Sequence, residues 1–454
     1  MEASALRRMI ATFLFGCALL TAAGVSADPF LLDGVRRVDP AAGTIGPRET
    51  LAVRDGWIVE AALLDRDAAR RIDADGLFVI PGLTEMHAHV PPAADGQSVD
   101  DVLALFLAHG VTTIRGMLGE PAHLALRAEL ARGERTGPRL ITSGPSLNGN
   151  SVPDVATARR LVRRQSEAGY DFLKLHPGLM PDTFGAIDAA ADGLGIAHAG
   201  HVSVGVGLAR ALAARQATID HLDGYAQVLV PDDHPARRSP PGFFGMALAE
   251  AMEPERIAAW AQRTAEAGVA NVPTQTLIEH IAIGDVQRLS ARPAMRWVPE
   301  QRRTRWIERI RSLRQGHSDE ALDRFVEIRR RLIAALHEAG APLLLGSDAP
   351  QIMNVPGDSL HEELALYVAA GLTPAEALAT GTTAVAEFLG QPAHGCLRPG
   401  CVADLVLLRA NPLADIANTR EIEAVVRAGE WFGRERLDGM LADIAARARA
   451  TGPD

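Results

Sequence analysis

Eight short apolar runs, each closing on polar residues, recur through the middle of the 454-residue chain. They are "LTEMHAHV" (83–90), "VTTIRGM" (111–117), "RLITSGP" (139–145), "DFLKLHP" (171–177), "IAHAGHV" (196–202), "ATIDHLD" (217–223), "ANVPTQT" (270–276) and "PLLLGSDA" (342–349). Helical stretches such as "TARRLVRRQSEAG" and "GLARALAARQ" separate most of them. Parallel strands need a crossover, usually a helix, so this alternation predicts βαβ units and an α/β protein. Eight units predict a (β/α)8 TIM barrel over residues 81–391, with a doubly wound sheet as the alternative.

The flanks have a different texture. Residues 28–80, with "LAVRDGWIVEAAL" and "GLFVIPG", and residues 392–436, with "RPGCVADLVLLRANPL" and "IEAVVRAGEWF", read as short strands broken by turn residues. They predict a small β-sandwich composed of both chain ends, followed by a C-terminal helix or tail at 437–454. Two connections, 223–258 and 277–340, are longer than a barrel requires; such loops cover the active-site mouth in barrel enzymes.

Composition excludes some partners. A formal charge of −10 with no Lys/Arg cluster argues against nucleic acid. The first residues, "MEASALRRMIATFLFGCALLTAAGVSADPF", combine Arg7 and Arg8 with an apolar stretch and the small-residue site Val25-Ser26-Ala27. They predict a secretory signal peptide over 1–27, cleaved near Ala27, and a secreted or periplasmic protein. Lipoprotein anchoring at Cys17 is disfavoured by Phe15. The apolar run is shorter than the ~20 residues of a membrane span, so no transmembrane segment is expected in the mature chain. Cys396 and Cys401 either bridge a tight turn or remain two unpaired small residues.

Functional residues of a barrel sit at the carboxyl ends of its strands. Those ends carry His87, His89, Lys174, His201, His221 and Asp348. Strand side chains alternate, so His87 and His89 point the same way and can share one divalent cation. Lys174 is the one lysine among 46 basic residues. A neutral lysine amine can add carbon dioxide to form an anionic carbamate with two oxygens, which arginine cannot do.

With these residues in view, the chain resembles the metal-dependent amidohydrolase superfamily, and more closely its imidazolonepropionase-like and prolidase-like branch. The carriers are "VIPGLTEMHAHV", "GVTTIRGM", "GYDFLKLH", "GHVSVG", "TIDHLDGY", "LLLGSDAP" and the segment from "PGDSLHEELALYV" to "AVAEFLG", closing with "LRPGCVADLVLLRANPLADI". The resemblance implies two divalent metal ions, usually Zn2+. His87, His89 and Asp348 would hold one, His201 and His221 the other, and N6-carboxylated Lys174 would bridge them. Either histidine of "HAGHV" can serve as the fifth-strand ligand; the family's usual interval and the Gly-His-Val context favour His201 over His198. Gly116 stands where relatives often carry aspartate, and His176 where many carry tyrosine.

The expected reaction is hydrolysis of an amide bond in a dipeptide-like or N-acyl amino acid substrate, with Asp348 as the catalytic proton carrier. A cyclic amide or lactone hydrolase on the same metals is one alternative, and a noncatalytic barrel binding protein another. Tyr225, His176 and Arg115 are candidate substrate contacts, with plain packing the competing role for Tyr225. A homo-oligomer is compatible with the sequence.

Overall fold

The computed structural model describes residues 28–65, 69–91 and 98–450. The expected signal peptide and Cys17 lie outside these residues.

The two chain ends form one mixed sheet. Five N-terminal strands, Phe30–Asp39, Thr44–Arg54, Trp57–Val59, Arg70–Asp73 and Phe78–Pro81, join three C-terminal ones, Leu405–Leu408, Ile422–Arg427 and Glu430–Gly433. The seam is the antiparallel pair Phe78–Pro81 with Leu405–Leu408, whose leucine and valine side chains are all buried. Two hairpins are closed by the pairs Asp55-Gly56 and Ala428-Gly429, all four residues with positive φ, as two-residue turns of primed type require. A Cβ on Gly429 would stand 2.8 Å from the Gly56 Cα, so the two turns pack against each other and glycine is needed there for space as well as for conformation. Beside this sheet Cys396 and Cys401 are disulfide-bonded. The terminal helix, Arg434–Ala450, starts three residues before the expected boundary.

Between the flanks lie parallel strands. Leu83–Ala88, Val111–Gly116 and Arg139–Thr142 form one sheet, and Phe172–Leu175, Ala197–Gly200, Thr218–Asp220 and Ala270–Val272 another. Their connecting helices start where the sequence offers side-chain caps: Ser98 accepts from Asp101 N, Asp154 from Thr157 N and Ser318 from Ala321 N. Two parallel bridges, Ser143 to Phe172 and Leu147 to Leu175, link the end of the first sheet to the second.

The eighth run, 342–349, is not a regular strand. It makes parallel bridges only at its ends, Leu343 with Asn271 and Ala349 with Ala88. The reason is side-chain competition for its backbone. The Glu85 carboxylate takes Ser347 N at 2.8 Å and Ser347 Oγ at 2.5 Å, and Asn354 Nδ2 donates to Ser347 O. Reciprocal bonds His89 N to Ala349 O and Asp348 N to His87 O nevertheless lock this segment to the first strand, which brings Asp348 beside the two histidines.

The long connection after the sixth strand contains the helix Tyr225–Leu229 and the 3-10 turns Pro235–Arg238 and Phe243–Ala251. The one before the eighth run holds the helices Gln275–Ala282, Val286–Ala291, Glu300–Arg314 and Asp319–Glu338. No helix of the described residues is long and apolar enough to cross a membrane.

Candidate metal centre

Four strand ends and the eighth run deliver the six residues singled out in the sequence to one cluster. The His87 ring centroid lies 5.5 Å from that of His89 and 4.5 Å from that of His221, which lies 4.6 Å from that of His201. Asp348 reaches three of the four imidazoles, with Oδ1 2.7 Å from His89 Nε2 and 3.6 Å from His87 Nε2, and Oδ2 3.7 Å from His221 Nδ1. Lys174, fully buried, lies within electrostatic reach of Asp348, His87 and His221, its amine 3.5 Å from Asp220 Oδ2.

The chemistry of this set fits a cation. One ligand atom each from His87, His89 and Asp348 lies within 4.8 Å of the others. Two of its buried atoms, His87 Nδ1 at 3.1 Å from Asp220 Oδ2 and Asp348 Oδ1 at 2.7 Å from His89 Nε2, have close polar neighbours but no well-formed hydrogen bond, an arrangement that a cation would relieve. Burial drives the His87 and His221 pKa values well below the usual imidazole range, so both rings are neutral and can offer a lone pair. Burial also lowers the Lys174 amine from its ordinary value, against the pull of Asp220 and Asp348, which favours the nucleophilic form.

Neighbours orient these rings. His201 Nδ1 pairs with Asp223 Oδ2 at 2.7 Å, which leaves Nε2 facing the cluster. His221 Nδ1 lies 2.8 Å from Thr274 Oγ1. That hydroxyl donates to Pro273 O, so it accepts from Nδ1–H and sets the tautomer with Nε2 free. Local backbone strain concentrates here: His221, Thr274 and Asp348 all have positive φ.

The other sequence candidates divide. His176 is at the site, its ring stacked 4.7 Å from His201 and its pKa lowered to about 2 by burial first and the nearby Lys174 second. His198 turns away to Asp188 Oδ1 at 3.0 Å, on the helix Pro181–Leu194. Tyr225 does not reach the pocket. Its hydroxyl is spent on Thr264 Oγ1 at 2.8 Å and Asn271 Oδ1 at 3.1 Å, and the residue is 1% exposed. Arg115 is likewise drawn inward. At 2% exposure it donates to Met86 O at 2.7 Å and Thr218 Oγ1 at 3.1 Å, beside Asp220 Oδ1 at 3.5 Å.

Sequence reasoning missed Asp220, the fully buried carboxylate beneath the cluster. Burial alone would raise its pKa, but Lys174 and Arg115 outweigh that and hold it ionised. Removing one partner of a buried ion pair strands the other charge. Arg115→Met should therefore lower unfolding free energy by about 3–5 kcal/mol, read by denaturant melts on metal-free protein. A loss below about 1 kcal/mol would mean that the Arg115–Asp220 contact carries little of the fold.

Glu363 was also missed. From the helix Asp358–Ala369 it accepts Gln275 N at 2.8 Å and Thr276 N at 2.6 Å, fixing the chain next to Thr274. Burial pushes its carboxyl from 4.5 up to about 7 despite those bonds. A raised carboxyl pKa means that the folded state tolerates the charge less well than the unfolded one. Its stabilising contribution is therefore intact below about pH 4.5 and lost as pH rises through about 7. Relative to Glu363→Gln, the wild type should lose on the order of 3 kcal/mol between pH 5 and 8. Denaturant midpoints for both proteins across that range would show it, and a pH-independent difference would refute it.

The sequence matches the model of the amidohydrolase family over residues 78–432. Among solved structures it is similar to a bottromycin amidohydrolase, at 26% identity and TM-score 0.71, with 93% of this chain and 91% of that one covered. A putative prolidase from Bifidobacterium longum gives 24% identity, TM-score 0.66 and coverage of 92% and 99%. A Xaa-Pro dipeptidase with bound methionine in its active site gives 18% identity, TM-score 0.64 and coverage of 89% and 100%. Among curated proteins none shows significant sequence similarity.

Proposed function

The chain belongs to the amidohydrolase family, metal-dependent hydrolases acting on carbon–nitrogen bonds, and from that premise we propose that it cleaves the amide bond of a dipeptide-like or N-acyl amino acid substrate at a binuclear centre. The observation that carries the proposal is the convergence of His87, His89, His201, His221, Lys174 and Asp348 on one buried cluster. A noncatalytic barrel would be free to lose such residues, and all six are present.

The scaffold that we infer is a closed (β/α)8 barrel over 81–391, supported by the bridges Ser143–Phe172, Asn271–Leu343 and Ala349–Ala88. Residues 28–80 and 392–436 would be its small β-sandwich, and 437–454 a terminal extension. His87, His89 and Asp348 would hold one ion, His201 and His221 a second, and Lys174, carboxylated on Nζ, would bridge them.

Two divalent cations, zinc the first candidate, would acidify water and polarise the substrate carbonyl. The chain's own groups do the rest. Asp348 is held by Gln351 Nε2 at 2.7 Å on Oδ2 and faces His89 through Oδ1, so its carboxylate is fixed in orientation. It would take a proton from the attacking water and return it to the leaving nitrogen. Asp223 and Thr274 keep His201 and His221 in the tautomers that face inward. Phe244, its ring centroid 4.6 Å from that of His221, gives the site an apolar wall and favours an apolar residue beside the scissile bond.

Zinc-loaded protein assayed side by side on dipeptides, N-acyl amino acids, cyclic amides and lactones tests the reading. Turnover is expected on linear amides. Turnover confined to lactones or cyclic amides would replace the substrate assignment, and none in any class would remove the catalytic one.

We further propose export with cleavage near Ala27, which the Cys396–Cys401 disulfide supports because such bonds persist in oxidising compartments. The secreted protein should begin at Asp28 by N-terminal sequencing; an intact Met1 on the mature protein would contradict this.

A further inference from the structure

A cavity of about 420 Å³ lies between the helices Val99–Ala108 and Asp358–Ala369 on one side and the C-terminal strands and helix Arg434–Ala450 on the other. It shares no lining residue with the histidine cluster. Its size is within the roughly 300–1,000 Å³ of small-molecule sites.

The charges in its wall do not balance. Arg296, Arg409, Arg420 and Arg434 face two carboxylates, Asp358 and Asp438. Arg420 is committed to Asp358, at 2.5 Å, and Arg434 to Asp438, at 2.9 Å, and to Ile422 O at 3.0 Å. The other two arginines are less engaged. Arg409 donates to Ile422 O at 3.2 Å and touches Glu423 at 3.1 Å, but the two side chains of that ion pair are 49% and 39% exposed, and so open a pair is weak and readily exchanged. Arg296 has no carboxylate partner among the described residues; its guanidinium lies 4.5 Å over the Trp297 ring. That indole meets His109 edge-on at 5.1 Å, which ties the arginine's platform to the cavity wall. His109 and His361 add polar surface rather than charge, because burial lowers both imidazoles below their usual range.

We propose that this cavity is an anion site for a small polyvalent ligand bearing phosphoryl or carboxylate groups, held chiefly by Arg296 and Arg409. Guanidinium forks match both chemistries bidentately. Because the lining comes from the central helices and from the C-terminal segment, the ligand would join the two.

Calorimetric titration of the zinc-loaded protein with inorganic phosphate, pyrophosphate and succinate, at constant ionic strength set with potassium chloride, tests the site. At least one probe should bind saturably, one per chain. The preferred probe identifies the class: pyrophosphate for phosphoryl ligands, succinate for dicarboxylates. Arg296→Gln with Arg409→Gln should weaken that binding roughly tenfold or more while leaving amide hydrolysis and the melting temperature of the unliganded protein unchanged. Both side chains are exposed, and their cavity shares no lining residue with His87, His89, His201 or His221, so an anion caught at the metals would bind the double variant equally well. Equal binding in the variant, or no saturable binding in the wild type, overturns the proposal.

Discussion

Lys174→Arg is expected to lower amide hydrolysis by on the order of 10³-fold or more and to reduce bound zinc from two ions per chain to one or none. The substitution keeps a positive charge beside Asp220, so it separates two roles for this lysine. If Lys174 were only the partner of Asp220, a guanidinium would serve that ion pair, and metal content would survive. If its amine becomes a bridging carbamate, arginine cannot replace it, because guanidinium stays protonated and does not add carbon dioxide. The surroundings favour the second role. Burial lowers the amine's pKa, and Gly200 leaves room for the side chain: a Cβ there would stand 2.9 Å from Lys174 Cδ and 3.1 Å from Cε. A longer, planar side chain would have to enter that space beside Arg115. Zinc analysis by mass spectrometry, alongside kcat/KM on a confirmed substrate, decides the matter. Full zinc occupancy and undiminished hydrolysis in Lys174→Arg would eliminate the carbamate. A corollary separates carbamylation from bulk. Apo wild-type protein reloaded with zinc should regain activity faster with bicarbonate than in degassed buffer.

Much of this site was legible in the chain because strand periodicity and strand ends are local properties. The alternation in "TEMHAHV" puts His87 and His89 on one side, and the apolar runs marked seven strands where strands are found. The same alternation, followed strictly, misleads at "TIDH". Asp220 and His221 are neighbours and should face opposite ways, yet both join the cluster. The strand stops at Asp220 and His221 turns to φ 61, so one residue follows the pleat and the next leaves it. A reader counting inward positions from Thr218 would have reached Asp220, which its hydroxyl contacts at 2.7 Å. Glu85, at the same phase as His87, carries the same signal. The eighth run failed as a regular strand because Glu85 and Asn354 claim its central backbone, and pairings that span 262 residues leave no local trace. For Tyr225 and Arg115 a related effect favours the packing role over substrate contact. Their polar atoms are consumed by partners 39 and 103 residues away, which converts plausible pocket residues into structural ones.

Asp348→Asn tests the proton-carrying step with the smallest change in shape, and its expected cost is about 10²–10⁴ in kcat. The carboxylate is set between two neighbours that react differently to the swap. Gln351 Nε2 donates to Oδ2, and an asparagine carbonyl can still accept that bond. The new amide nitrogen then points toward His89, 2.7 Å from its Nε2, where the wild type has an oxygen. That reversal removes a negative ligand atom from the His87–His89 group and removes the carboxylate proposed to carry the proton. The two losses are separable. Raising zinc during reconstitution compensates for weakened binding but supplies no base. The expected result is therefore a variant that approaches wild-type zinc content at high zinc and stays impaired in kcat, with KM moved little, because the missing interaction is made in the transition state. Recovery of kcat in step with zinc content would mean that Asp348 acts solely as a ligand, and another group would then have to carry the proton. His176, stacked on His201, is one candidate, and combining Asp348→Asn with His176→Asn would test it. Additive losses in kcat would leave Asp348 as the carrier, whereas a double variant no worse than Asp348→Asn alone would place both residues on one proton path.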